Sequence, residues 1–471
     1  MTTAGKAAIA LGIIAAAGVA GAWYTGSQVE QVLEQNIDLA NEQLQSQFPN
    51  TDLVLEMTTF ERSLFSSQAR YRLVLEAAEG DDAGLELFIN DHIEHGPLPL
   101  SRLTSFKWLP VMAVSHAQLE QTDALADLFA ASAGRPPVTM TSSVGYGNGI
   151  KGDLQIAPLN WQNEHITSRF SGLSAVYTTD TTGSELQFEG RVDSIELAGR
   201  ANVSLVGMNF SLDRQRDASG LYLGSGRMEL DQLAAVVDDK PPLILNGMLQ
   251  SDNTRLDADG ANVEITYRIG SVSYGTNKLG SMDMDWTFSR FDPQAMMVLA
   301  GIYNSAMLGS VNGDVEAVKG QVQAALEQIL EGQPRVSLDN FSIKTANGES
   351  RFSLGVDLDR PMSLELPPAM LMPQLISNLE AKLVLSKPML VDMARHKALF
   401  QPGADSAAVE REALMMAEMV GGMAEMMQLG QVEGDSILSQ LNYAGGAVKL
   451  NGQSIELEEL VGLLAGMQGL Q

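Results

Sequence analysis

The chain contains no cysteine. That excludes disulfides, thiolate metal sites, a cysteine nucleophile and an acylated lipoprotein anchor. Histidine is scarce, with 5 in 471 residues, and only Asp91-His92-Ile93-Glu94-His95 gathers metal-type ligands. On a strand, His92 and Glu94 share one face and His95 takes the other, so they cannot all hold one ion. The following Gly96-Pro97-Leu98-Pro99 argues against a helix, and the expectation is a strand ending in a turn. His116, His165 and His396 have no recognisable partner spacing. No G-x-S-x-G elbow, H-E-x-x-H pair or P-loop occurs. Gly145, Gly147, Gly149 and Gly152 beside Lys151 read as turn glycines. Asp257-Ala-Asp-Gly260 reads as a hairpin turn, because aligning Gly260 with the sixth position of a calcium loop puts Arg255 at the first ligand position. The expectation is a protein without metal or cofactor and without catalytic residues, hence not an enzyme.

Basic residues are also few, 30 against 58 acidic, for a net charge of -28. Phosphate backbones are repelled, which removes nucleic acid as a partner, and a broad anionic membrane face is disfavoured. At 45% hydrophobic residues the chain can build a large core.

There is one long apolar run, Ala7–Tyr24, preceded by Lys6. At 1.5 Å per residue it is just long enough to cross a hydrocarbon core of about 30 Å. No Lys or Arg follows until Arg62, while Glu30, Glu34, Asp38 and Glu42 occupy the flank. The positive-inside rule then keeps the N-terminus in the cytoplasm and places the rest beyond the membrane. An uncleaved anchor competes with a signal peptide cut at Ala20-Gly21-Ala22; the length and the interfacial Trp23-Tyr24 pair favour the anchor.

Four regions follow: residues 1–25 as transmembrane anchor, 26–49 as amphipathic helix, 50–360 as a β-rich region, and 361–471 as a helical, Met-rich region with a hairpin and a last helix. Between Ser27 and Phe48, Val29, Leu33, Ile37, Ala40, Leu44 and Phe48 form one helical stripe. From Leu53 the period becomes two, as in Leu85/Leu87/Ile89, Val263/Ile265/Tyr267/Ile269 and Met282/Met284/Trp286/Phe288. Such alternation predicts antiparallel strands with one face on a core. Helices are expected at His116–Ser132, Asp292–Leu330, Pro388–Phe400, Ala404–Leu429 and Leu457–Met467, with a connector at Leu366–Pro373. The fold class is α+β: a long, mostly antiparallel sheet with covering helices.

Met415, Met416, Met419, Met423, Met426 and Met427 crowd one predicted helix. Val409, Ala413, Met416, Val420, Met423 and Met427 recur at steps of four and three, a heptad-like seam. Flexible thioethers suit shifting apolar partners, so Met416, Met419, Met423 and Met427 are the candidate ligand-binding residues. Ordinary helix packing around Gly421-Gly422 is the competing reading, and copper ligation by thioethers a third.

Several stretches carry a resemblance: Ala22-Trp-Tyr-Thr-Gly26, Arg62-Ser-Leu-Phe-Ser-Ser67, His95-Gly-Pro-Leu-Pro-Leu100, Pro158-Leu-Asn-Trp161, Leu441-Asn-Tyr-Ala-Gly-Gly446, Leu450-Asn-Gly452 and Leu457-Glu-Glu-Leu-Val-Gly462. In this order the chain resembles the YdgA-like family of Gram-negative envelope proteins. The resemblance implies an inner-membrane anchor and a periplasmic domain, admits a homodimer, and supplies no activity or catalytic residue. The expected function is an envelope binding or scaffold protein that holds lipid or another apolar ligand. The alternative is a protein–protein assembly factor of the envelope, and an envelope hydrolase ranks below both.

Overall fold

The computed structural model describes residues 53–456 apart from 64, 76–84, 96–98, 105, 148, 239, 308–314 and 401–404, together with 37, 38, 40–42, 44 and 45. The apolar run Ala7–Tyr24 and the expected helix Leu457–Met467 lie outside the described residues, as does most of the Ser27–Phe48 helix. Among the described residues no helix is long and apolar enough to cross a membrane. The chain divides into two units, residues 1–228 with 293–325, and residues 229–292 with 326–471.

In the first unit the strands are β1 (Leu53–Arg62), β2 (Ser66–Leu75), β3 (Leu85–His95), β4 (Ala113–Leu119), β5 (Val138–Val144), β6 (Gly149–Ile156), β7 (Leu159–Gln162), β8 (Thr167–Phe170), β9 (Leu173–Asp180), β10 (Glu185–Ala198) and β11 (Ala201–Arg216). They pair antiparallel in the order β1-β2-β3-β4-β5-β6-β9-β10-β11, with the β7–β8 hairpin joining β10 beside β9. Two short helices, α1 (Leu100–Thr104) and α2 (Ala126–Ala131), interrupt the meander. The inward face carries Leu55, Leu73, Ile89, Ile93, Met140, Val144 and Ile150. Ile37 and Leu44 from the helical stretch at 37–45 and Phe129 of α2 join that core. Asn41 fixes the stretch on the outer edge of β1, donating to the Leu55 carbonyl and accepting from the Leu55 N–H, both at 2.9 Å.

The second unit begins within β12 (Tyr222–Val237). It continues with β13 (Leu243–Asp257), β14 (Gly260–Tyr274), β15 (Asn277–Phe291), β16 (Arg335–Lys344), β17 (Glu349–Leu358), β18 (Ile376–Ser386), β19 (Gln431–Glu433), β20 (Ser436–Ala444), β21 (Ala447–Leu450) and β22 (Gln453–Ile455). The antiparallel order is β13-β14-β15-β16-β17-β18-β20-β21-β22, with β19 also on β20. Helices α3 (Pro293–Met307) and α4 (Val315–Glu331) lie between β15 and β16 in sequence, and as far as Ala325 they belong to the first unit. Helix α5 (Pro368–Leu375) precedes β18, and α6 (Lys387–Ala398) with α7 (Ser406–Met426) separates β18 from β19. The two-residue turns match their sequences: Gly445 and Gly446 between β20 and β21 both have positive φ, 56° and 84°.

Two local expectations are corrected. His116 does not start a helix: Ala113–Leu119 is strand β4, followed only by a 3-10 turn and α2. Its Ala and Gln content suits a helix, but pairing with β3 and β5 on both sides overrides propensity. Leu366–Pro373 is not a mere connector, since Pro368–Leu375 is helical with Pro373 inside it. The long antiparallel sheet is as the alternation predicts, whereas the expected covering helices α6 and α7 run along one end of the second unit's sheet.

Candidate functional site

In the first unit a polar track runs through the apolar face. Paired residues share a face, so the registers set Ser67, Ile93, Ser115, Ser142, Gly152 and Tyr177 in one inward row. Asp91 and His95 flank Ile93 on β3 and point the same way. Asp91 is 1% exposed; its carboxylate accepts from Ser115 Oγ at 2.7 Å. Burial pushes its pKa up to about 7, against the lowering effect of Ser115 and the His116 N–H. The same burial and the Asp91 carboxyl hold Tyr71 well above its ordinary value. That contact is electrostatic rather than a well-formed hydrogen bond, because Tyr71 Oη has no partner in bonding geometry. Across the sheet the Tyr177 hydroxyl pairs with Ser142 Oγ, and burial raises it to about 12.

Ser67 Oγ lies 2.8 Å from His95 Nε2. Two stretches that carry the family resemblance therefore meet in space, and the His95 N–H donates to the Phe65 carbonyl at 2.8 Å. Desolvation, then the Arg62 charge, lowers the His95 pKa, which keeps the ring neutral at pH 7. A neutral His bonded to Ser is the start of a nucleophile–base pair. Two features oppose that chemistry. Ser67 is only 1% exposed, and His95 Nδ1 is buried without a partner. Asp91, four residues along the strand, is about 13 Å away and cannot orient the ring. The pair closes the end of the sheet.

In the second unit the registers assemble an apolar face six strands wide. Ile265, Trp286, Leu338, Leu354, Ala381 and Leu441 form one row across β14, β15, β16, β17, β18 and β20. Val263, Phe288, Val336, Val356, Leu379 and Tyr443 form the next, and Tyr267, Met284, Phe341, Phe352 and Leu383 flank them on the other side. The opposite face is mostly polar: one row runs from Arg268, paired to Asp283 at 2.5 Å, through Ser342 and Arg351 to Val384, and another holds Ser353, Lys382 and Gln440. Apart from Leu338, and with Leu383 exposed, the apolar rows are only half-buried. A closed core removes such side chains from water altogether.

Helices α6 and α7 border this face at one end. Helix α6 leaves β18 at Ser386, whose Oγ caps it by accepting from the Met389 N–H at 3.3 Å. Phe400, just beyond it, meets Tyr274 at the end of β14, ring centroids 4.5 Å apart. Twelve helical residues span about 18 Å, close to the four strand spacings from β18 to β14. Midway, Asp392 is pinned to the β16–β17 turn. It accepts from Thr345 Oγ1 at 2.7 Å, the Asn347 N–H at 3.0 Å and Asn347 Nδ2 at 2.7 Å.

Helix α7 packs on α6 through Ala413 and Ala417 against Val391, with Gly421 also buried. Of the expected seam Val409, Ala413, Met416, Val420, Met423 and Met427, Ala413 packs and Val420, Met423 and Met427 are half-buried, but Ala417 takes the packed position expected of Met416. Small residues let the helices approach closely and the larger thioethers are displaced outward. Met415, Met416, Met419 and Met426 are exposed, with Leu414 and with Met393 of α6, while Met423 and Met427 are half-buried.

The other marked residues have local roles. Asp91-His92-Ile93-Glu94-His95 is strand, as its sequence implies, with His92 Nδ1 3.1 Å from Gln68 Nε2 and Glu94 accepting from Ser101 Oγ at 2.9 Å. Asp257–Gly260 is the β13–β14 turn, and Tyr146 and Gly147 lie in the turn between β5 and β6. The inward Asp91 was missed, although the phase Leu85/Leu87/Ile89 continues directly to 91, 93 and 95. The incomplete burial of the second sheet had no signal, because alternation reports which face is apolar and not what covers it.

These features define a β-rich α+β protein with one closed core and one incompletely buried apolar sheet. The chain belongs to the family described as "Bacterial protein of unknown function (DUF945)", whose model matches residues 5–458. It is similar to "Protein YdgA" of Escherichia coli (strain K12), 27% identical over 488 residues, covering 98% of this chain and 97% of that protein. "Uncharacterized protein YihF" of the same strain is 23% identical over 478 residues, covering 96% and 97%. An uncharacterized protein of Haemophilus influenzae is 21% identical over 321 residues, 63% of this chain and 85% of that one. The resemblance to YdgA-like proteins is thus confirmed. No solved structure matches.

Proposed function

We propose that the protein is a membrane-anchored binding protein of the cell envelope that holds acyl chains on the apolar face of its second unit. Residues 7–24 anchor it in the inner membrane and the folded part works on the periplasmic side. The observation that carries this reading is the half-buried set of rows through Trp286, Leu354 and Leu441, bordered by a Met-rich helix pair. Unfilled, such a face exposes apolar area at about 25 cal/mol per Å², a cost that an alkyl ligand removes. Thioethers at Met416 and Met419, with half-buried Met423 and Met427 behind them, adapt to chains of differing shape. No residue in this reading acts on a bond.

A photoreactive amino acid placed at Leu354 or Met419 of the full chain, irradiated in cells, tests it. Lipid adducts at both positions and none at Lys382 on the polar face are expected. Protein adducts alone would replace this reading with the assembly-factor alternative.

A further inference from the structure

Three connections of the first unit meet at one end of its sheet. Ser66 pairs with Glu94, Glu94 with Val114, Ala113 with Val144 and Gly149 with Asp180, so the turn after β1, the described part of the β3–β4 connection and the β5–β6 turn are neighbours. That edge is unusually apolar. Phe65 is 74% exposed, Phe106 80%, Trp108 65% and Leu109 77%, and Tyr146 is exposed beside them. The Lys107 N–H donates to the Arg102 carbonyl at 2.9 Å and Arg102 Nη2 to the Leu109 carbonyl at 3.0 Å within the loop, while Ser101 Oγ donates to Glu94 at 2.9 Å and the Met112 N–H to the Val144 carbonyl at 2.7 Å, which tie it to β3 and β5. Phe106 has φ of 55°, a conformation that non-glycine residues rarely hold, and it persists only where the surrounding structure fixes it.

Charge separates the segment between β3 and β4 from the rest of the chain. Residues 96–112 carry Arg102 and Lys107 and no acidic residue, in a protein of net charge -28. At the same edge Asp180 is engaged by Ser184 and Thr182, and Glu94 by Ser101. We propose that this edge docks on an anionic lipid bilayer, with Phe106, Trp108 and Leu109 entering the headgroup–acyl boundary and Arg102 and Lys107 meeting the phosphates. Trp and Phe favour that boundary, and basic residues add attraction to anionic lipid. The acidic remainder of the chain is repelled, so the bilayer selects this edge. The inference does not depend on acyl chains binding to the second unit.

The absence of cysteine allows single-site labelling. The full chain carrying Phe106→Cys, labelled with an environment-sensitive fluorophore, is mixed with phosphatidylglycerol-rich vesicles containing nitroxide lipids. Glu164→Cys, in the β7–β8 turn at the opposite end of the sheet, is the control, and Leu109→Cys repeats the test without altering residue 106. The expected result is a blue shift and quenching at 106 and 109 with none at 164. Loss of that quenching is expected in phosphatidylcholine vesicles, or on adding Trp108→Ser and Lys107→Gln. Chain that sediments with vesicles while labels 106 and 109 stay in water would overturn the docking surface and leave the anchor standing. Chain that neither sediments nor quenches would overturn both. Labels shielded without lipid quenching would show that protein covers the edge, and would also overturn the proposal.

Discussion

The Tyr177 ring occupies the space that a side chain at Gly152 would need. A Cβ on Gly152 would fall inside contact distance of that ring and 2.6 Å from the Thr141 carbonyl. Gly152→Ala should therefore displace Tyr177 and break its bond to Ser142, costing about 3 kcal/mol as an overpacked core does. Gly149→Ala, on the same strand with nothing within 4 Å of its Cβ, should cost far less. Urea midpoints of the two variants make the comparison.

Asp91 makes stability fall with rising pH. Its folded pKa is raised to about 7 from 3.8, so between those values the native state holds a proton that the unfolded state has lost. The stabilising contribution is complete below the lower value and disappears as pH rises through the upper one. At 1.36 kcal/mol per unit the swing is at most about 4 kcal/mol. Asp91→Asn removes the titration. Its stability relative to wild type should improve from pH 4.5 to about 7 and then level off in paired denaturation series; a constant difference would refute the buried neutral carboxyl.

The neighbouring Ser67–His95 pair has the opposite sign. The His95 pKa is lowered from 6.5, so stability is present above that value and lost as pH falls through the folded pKa. Ser67→Ala leaves a buried ring nitrogen without its partner and should cost about 1–3 kcal/mol. A His95→Gln variant should lose less on acidification below pH 6.5 than wild type does. Chemical denaturation at pH 7.5 and 5.5 reads both effects.

Much of this was legible in sequence because a strand's phase is rigid. Leu85, Leu87 and Ile89 commit 91, 93 and 95 to the core whatever their polarity. Trp286 and Phe288 likewise announce the apolar face of β15. Two failures share a cause. At Ala113–Leu119, pairing partners far along the chain decided the structure. At Met416, hydrophobicity did not say which of two apolar neighbours packs, because closeness of approach favours Ala417 over larger side chains. The contact between Ser67 and His95 joins residues 28 apart and needed the β2–β3 register.

Asp392 holds α6 across the sheet end. Its carboxylate accepts three hydrogen bonds from Thr345 and Asn347, and Arg395 Nη1 donates a fourth at 3.3 Å. Asp392→Asn sets an amide donor against Asn347 Nδ2 and should cost about 2 kcal/mol. The lowered pKa of Asp392 means that its contribution exists above 3.8 and is lost as pH falls through the folded value. Faster amide exchange confined to α6 and the β16–β17 turn would report the loosened attachment.

The packed side of α7 separates stability from binding. If Ala413 and Ala417 form the packed side, then Met415→Asp and Met419→Asp should leave the thermal midpoint within about 2 °C of wild type, as exposed substitutions do. Ala417→Leu should lower it several-fold more, because the added methylenes have to enter the contact with Val391. A conventional buried Met seam demands the reverse order. The same Asp variants bear on the acyl-chain reading: they put charge where an alkyl chain would lie, so photo-adducts at Leu354 should fall in a protein that remains folded. Loss of folding together with loss of adducts would return the methionines to a packing role.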